Sequence, residues 1–250
     1  MYDNNNQNTI EWFRARLGNI TGSVVGNLMG KPKKVSEEWT DKAKTYLNQI
    51  AFERTLNPIV VQNDDLFREY ISLTEVHSKA IEWGHKMEGE AAHLFAEQYY
   101  DMFGNKSFEK YVLDLEEPPS VRCKDLTNFA SSPDRMFYDP ETGEMCCIEI
   151  KCPQGNAFTK YVKNVFAQET QEQRLEGLKK AEGNYYYQCY AHMLATGASK
   201  TYFVIFNPFQ LHPLFALCIE RDEDVINEMR DKINAAEKYI EDVKAKLLSK

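Results

Sequence analysis

The apolar positions of the chain fall into two rhythms. Residues 9–17 (TIEWFRARL) and 38–56, with Trp39, Ala43, Tyr46, Leu47, Ile50 and Leu56, recur at intervals near those of a helix. Gly18 ends the first helix, and Asn57-Pro58 stops the second, because proline lacks a backbone donor and restricts the residue before it. Thr21 stands where it could cap a short helix running to Met29. Residues 74–100 predict a long helix, broken near Gly84. Strands are then predicted at 108–113, 120–123, 129–131, 135–138 and 145–151. Helices at 156–165 and 178–196 follow, with Gly197 as a stop, then strands at 201–206 and 214–220. Over 221–249, Ile226, Met229, Ile233, Ala236, Ile240, Val243 and Leu247 place one apolar stripe on a long C-terminal helix. The first eight residues are polar and are expected to fray. This order, without repeats or a linker, predicts one α/β (α+β) domain over 1–250. Its central mixed β-sheet is flanked by helices, with extra helices before it and the long amphipathic helix after it.

One hairpin carries chemistry. Residues 131–154 read SSPDRMFYDPETGEMCCIEIKCPQ. Asp134 precedes the first strand and Glu149 lies near the end of the second, with a Pro/Gly turn between them. Antiparallel pairing brings such residues side by side. Glu149 and Lys151 leave the same face of their strand, while Ile150 points to the core and can offer its carbonyl. The run Met145-Cys-Cys-Ile-Glu-Ile is mostly apolar, so Glu149 is expected to be buried. A buried carboxylate is costly unless it is paired or binds a metal. Two carboxylates repel unless a hard cation lies between them, and Mg²⁺ takes few carboxylates plus water and phosphate oxygens. A lysine beside it can orient water and stabilise charge growing on phosphorus.

Composition changes this picture little. With 250 residues, 43% hydrophobic and 27% charged, the chain can bury a sizeable core. No apolar run is long enough to cross a bilayer, and the N-terminus does not read as a secretory signal. The six cysteines form no regular framework and read as reduced thiols of a cytoplasmic protein. The net charge of −8 argues mildly against nucleic-acid binding, although a locally basic face can coexist with an acidic exterior. Lys31-Pro32-Lys33-Lys34, followed by Trp39, is the best basic patch; it is either a duplex-backbone contact or a solvated loop. Gly26-x-x-x-Gly30-Lys31 lacks the spacing of a phosphate loop. No C-x-x-C suggests an iron–sulfur cluster. His85 and His93 could share a helix face but lack a third zinc ligand.

The S-P-D of 132–134 and the E-I-K of 149–151 resemble the PD-(D/E)XK nuclease signature. The wider chain resembles the phage lambda exonuclease family, the YqaJ-type viral recombinases. R-L-G-N-I-T-G-S at 16–23 is similar to that family's R-L-G-x-I-T-A-S, and W-G-H-K-M-E at 83–88 to its W-G-x-x-x-E helix. The Gln188 helix, the strand ending at Asn207-Pro208 and E-R-D-E at 220–223 follow in the same order. The resemblance implies a restriction-endonuclease-like core. It implies Asp134, Glu149, the Ile150 carbonyl and Glu88 (directly or through water) as ligands of Mg²⁺, which Mn²⁺ could replace. Two ions are implied once DNA is bound. It implies Lys151 as the group that activates water and Gln188 as a helper beside it. Arg16, Ser23 and Ser132 resemble residues that hold a terminal 5′ phosphate, and Ile81 the apolar residue that pries the duplex end apart, unless it belongs to the core. The implied activity is a 5′-to-3′ exonuclease on double-stranded DNA ends that leaves 3′ overhangs for recombination. The implied assembly is a toroidal homotrimer, with a phage single-strand annealing protein as partner, in the host cytoplasm and without a membrane. A structure- or sequence-specific endonuclease on the same core, or an inactive DNA-binding or assembly module, remains the alternative.

Overall fold

The computed structural model describes residues 7, 9–74, 78–104 and 112–249. Helix α1 (Ile10–Arg16) begins as expected, with the Thr9 hydroxyl accepting from the Trp12 N–H. Strand β1 (Ile20–Thr21) follows, then a 3₁₀ turn over Val25–Met29. Thr21 therefore caps nothing. It pairs with Ala130 in a parallel ladder, and its N–H donates to the Tyr46 hydroxyl. Helix α2 (Asp41–Glu53) is shorter than its periodicity suggested. The Thr40 hydroxyl caps it, which leaves Trp39 buried just before the first turn.

Two short helices, α3 (Pro58–Gln62) and α4 (Asp64–Thr74), occupy a stretch that the sequence pattern left unassigned. Pro58 starts the first of them, at the position where its missing N–H costs nothing. Helix α5 (Lys79–Met102) is capped by Ser78 and runs unbroken through Gly84. A Cβ at Gly84 would meet open space, so packing does not require that glycine. The predicted strand at 108–113 lies mostly outside the described residues, as do the first eight apart from Gln7.

Strands β2 (Val121–Arg122) and β3 (Phe129–Ser131) join β1 in a small sheet of order β1-β3-β2. The main sheet has the order β4-β5-β6-β7: β4 (Arg135–Tyr138), β5 (Met145–Lys151), β6 (Lys200–Phe206) and β7 (Leu214–Glu220). It is mixed, as expected: β5 and β6 are parallel and the other pairs antiparallel. The predicted helix at 156–165 is α6 (Gly155–Tyr161) followed by a π-helical turn over Val162–Phe166. The predicted helix at 178–196 is two helices, α7 (Gln171–Ala181) and α8 (Gly183–Thr196), parted at Glu182. Helix α9 (Glu223–Leu248) closes the chain, and Gly197 ends α8 in the left-handed conformation.

Strand alternation divides the core. Cys146, Ile148 and Ile150 face one apolar cluster with α5, where Met87, Ala91 and Phe95 are buried. Cys147 faces the other cluster, with α8 and the Ile226, Met229, Ile233, Ala236 and Ile240 stripe of α9. A buried Ile, Phe or Met among these contributes roughly 1.5–3 kcal/mol by leaving water. Among the described residues, no helix is long and apolar enough to cross a membrane.

Arg54 ties the N-terminal segment to α9. Gly18, at φ +70°, donates its N–H to Glu53, and its carbonyl accepts from Arg54 Nε at 2.7 Å. The Arg54 guanidinium forks onto both oxygens of Glu237 at 2.8 Å and reaches Glu241 at 3.0 Å. A Cβ at Gly18 would meet Arg54 Cγ at 2.9 Å, so glycine serves both the turn and the close approach.

Candidate active site

The β4–β5 hairpin sets the register that the carboxylates need. Arg135 pairs with Ile148, which places Asp134 beside Glu149. The turn between the strands is fastened by Asp139. Its carboxylate accepts from the N–H groups of Glu141 and Thr142 and from the Tyr99 hydroxyl. Gly143 takes the left-handed conformation that this turn requires, at φ +69°. Asp134 donates its own N–H to the Ile148 carbonyl, and its Oδ2 accepts from the Ile150 N–H at 2.6 Å. Ile150 is buried as expected, with its backbone at the heart of the site.

Glu149 is fully buried. Its Oε1 pairs with Lys151 Nζ, and its Oε2 lies 2.6 Å from His192 Nε2. Burial works against its charge, yet Lys151 and His192 outweigh that cost and hold its pKa below the usual glutamate value. Asp134 goes the other way. Burial, then the neighbouring charge of Glu149, raises its pKa well above that of a free aspartate. Burial favours a neutral Lys151, but Glu149 and Asp134 overcome it and raise its pKa. The lysine is a firm cation, and its ammonium also lies 4.7 Å from the centre of the Tyr185 ring.

Glu88 lies on α5 at the same cavity, but its carboxylate accepts from Arg135 Nη1 at 2.7 Å. Arg135 also donates to the Asp134 carbonyl. Among the described residues, no group of three or more His, Cys, Asp or Glu side chains stands ready-made around one point. The donor set still fits a hard cation that keeps several waters: Asp134, Glu149 and a backbone carbonyl. Asp134 and Glu149 stand side by side at the cavity, where one added positive charge would relieve their repulsion.

A cavity of about 630 Å³ joins this centre to the N-terminal segment. Arg16, Ser23 and Ser132 line it, as do Asp134, Glu149, Ile150, Lys151 and Gln188. Arg16 donates to Ser132 Oγ and Ser23 Oγ, both at 3.3 Å, and its guanidinium lies 4.2 Å from the centre of the Trp12 ring. The positions expected to hold phosphate therefore converge. Ile81 also lines the cavity and is 42% exposed, so it is not a core residue. Lys31, Lys33 and Lys34 are exposed on the loop before α2 and are not part of the cavity wall. Trp39 cannot join them in a contact, being buried beneath Lys232.

The YqaJ-like viral recombinase domain matches residues 11–199. The chain belongs to that family. Its fold is similar to the crystal structure of an alkaline exonuclease from Laribacter hongkongensis, LHK-Exo, at 22% identity and a TM-score of 0.65, with 96% of each chain covered. LHK-Exo in complex with dAMP gives 22% identity and a TM-score of 0.66, again over 96% of each chain. A phage related exonuclease from Haemophilus somnus 129PT gives 17% identity and a TM-score of 0.60, over 92% of this chain and 96% of that one. No curated protein matches the chain.

Four side chains of this YqaJ-like site escaped the sequence reading: His192, Arg135, Tyr185 and Trp12. His192 had a usable signal. It lies four residues after Gln188 on an otherwise apolar helix, and a buried histidine there needs partners. Gln188 and His192 thus stand one helical turn apart on the face that covers β5. Arg135 had none, because nothing in its strand position foretells a return to Glu88.

Proposed function

We propose that this protein is a Mg²⁺-dependent 5′-to-3′ exonuclease acting on the ends of double-stranded DNA. It leaves 3′ single-stranded overhangs that enter phage-type recombination by strand annealing. The observation that carries this reading is the single cavity shared by the Arg16–Ser23–Ser132 group and the Asp134–Glu149–Lys151 group. A phosphate held by the first group keeps the next phosphodiester of the strand within reach of the second. The family match and the likeness to LHK-Exo and to the phage related exonuclease support it.

The residues divide the work. The Arg16 fork binds phosphate oxygens, helped by the Ser23 and Ser132 hydroxyls. Asp134, Glu149 and the Ile150 carbonyl are the donors for Mg²⁺, or for Mn²⁺ in its place, with a second ion expected once DNA phosphate is bound. A bound divalent cation lowers the pKa of a water and neutralises charge on phosphorus. Lys151, as an ammonium, orients that water and stabilises the negative charge that develops on the phosphoryl oxygens. Gln188 borders the same space and steadies substrate or lysine. Glu88, held by Arg135, meets the site through water. Ile81 stands at the mouth of the cavity as a wedge for the terminal base pair. Lys31, Lys33 and Lys34 supply salt-sensitive backbone contacts. We further propose a ring-shaped homotrimer around the duplex, a single-strand annealing protein as partner, and action in the host cytoplasm.

The test is digestion of end-labelled linear duplex beside covalently closed circles, with Mg²⁺ and with chelator. Release of 5′-terminal nucleotides from linear DNA in Mg²⁺ alone is expected. Cutting of closed circles would replace this reading with an endonuclease on the same core. Binding without cleavage of either substrate would leave a DNA-binding module.

A further inference from the structure

We infer that His192 is a positioning residue that presents Glu149 to the cation, and that Ser131 and Gly22 complete the device. The inference rests on the proposed role of Glu149 as a ligand. Ser131, His192 and Glu149 are all fully buried. They form one chain: Ser131 Oγ lies 2.8 Å from His192 Nδ1, and His192 Nε2 lies 2.6 Å from Glu149 Oε2. A glutamate held as a carboxylate has no proton to give, so the Nε2–H of His192 donates. That bond occupies Oε2 and fixes the plane of the carboxylate. Oε1 pairs with the Lys151 ammonium on the cavity side, and a cation would take or share that place. Ligands of metals are commonly oriented by such an outer bond, which sets both geometry and basicity.

The far end of the chain is anchored from β1. A Cβ on Gly22 would lie 2.0 Å from Ser131 Oγ and 3.1 Å from the Ala191 Cβ. The strand can approach only because residue 22 has no side chain, and its N–H donates to the Ala130 carbonyl at 2.9 Å. Ser131 and Ser132 are neighbours with opposite duties. Ser131 faces His192 and the carboxylate; Ser132 faces Arg16. One strand end therefore sets the spacing between the phosphate-holding group and the cation-holding group.

Two amides of different length test the device. In His192→Gln the amide nitrogen stands near the place of Nε2 and keeps the bond to Glu149. In His192→Asn it stands near Nδ1, keeps Ser131 and cannot reach Glu149. Calorimetric titration with Mn²⁺ alone, without DNA, reads the consequence; chemical denaturation in chelator first confirms that both variants fold. We expect His192→Gln to bind Mn²⁺ within a few-fold of wild type and His192→Asn to lose about 10- to 100-fold. Equal Mn²⁺ affinity in the two variants overturns the assignment, as does a wild type that binds no Mn²⁺. A wild type that binds Mn²⁺ and shows the Gln/Asn difference, yet cuts no DNA, upholds the assignment and contradicts the proposed function alone.

Discussion

At one end of the cavity Arg16 meets Ser23 and Ser132 at 3.3 Å and rests on the Trp12 ring. At the other end His192 and Glu149 are 2.6 Å apart and fully buried. The first group is half open to water, and Ser23 is exposed. Its hydroxyls can turn to a ligand, and its cation is permanent. The second is set deeper, with Glu149 and His192 fully buried, and its charges compete: Asp134 is driven towards its protonated form, while Glu149 is held ionised by a lysine and a histidine. A group that grips substrate tolerates loose contacts, because the ligand supplies the missing bonds. A group that must act on charge as it develops has to be set in advance, and the fold bears that strain.

The strongest way to separate the two ends is Lys151→Ala. It should cut the single-turnover rate by about 10³-fold while gel-shift affinity for duplex ends is kept. A rate near wild type would remove Lys151 from the chemistry. Next, Asp134→Asn should weaken Mn²⁺ binding in calorimetry by at least about 10²-fold, more than the loss of a supporting residue. The same change should raise the melting temperature of the chelator-treated protein. The sign follows from the raised pKa of Asp134: its ionised form destabilises the fold at any pH above that pKa, and the destabilisation fades as pH falls through it. Each kcal/mol relieved is worth about 2–4 °C in a chain of this size. An unchanged or lower melting point would show that the carboxylate is not under stress. By the same sign, Mn²⁺ affinity of the wild type should rise with pH as Asp134 gives up its proton.

On the open side, Arg16→Ala should raise KM for 5′-phosphorylated ends by about 10- to 100-fold, the worth of one charge-assisted contact, with kcat little changed. An equal fall in kcat would mean that the two ends are not separable. The last effect is confined to alkaline pH and concerns two thiols of the strand that carries Glu149. Burial pushes the Cys146 and Cys147 thiols up to about 12, from 9.0 when unfolded. Their contribution is intact below pH 9 and should be lost progressively between 9 and 12. The loss is readable by denaturant titration across that range. Stability that stays flat to pH 11 would contradict their burial.

How far the site could be read from sequence follows the range of its contacts. Asp134 and Glu149 were legible because an antiparallel hairpin turns residue counting into geometry. Arg16, Ser23, Glu88 and Gln188 were legible only through motif order, since each comes from a different element. The Glu88–Arg135 pair and the chain from Ser131 to Glu149 were not, because they depend on how α5 and α8 seat on the sheet. The same limit holds for the fold. Strand β5 and helix α9 announced themselves by periodicity. The ladder that claims Thr21 and the parting of α7 from α8 at Glu182 are decided by partners far along the chain.

The Arg54 clamp has a mechanical consequence. If Arg16 holds a DNA end as proposed, a pull on that strand loads the chain behind it. Tension on Arg16 passes to Gly18, two residues on, whose carbonyl is pinned by Arg54. Arg54 hands the load to Glu237 and Glu241, and so to a helix of 26 residues with its buried stripe. The last helix is thus the keel of the proposed grip: replacing Glu237 and Glu241 would keep its buried stripe packed and slacken the hold on the Arg16 segment.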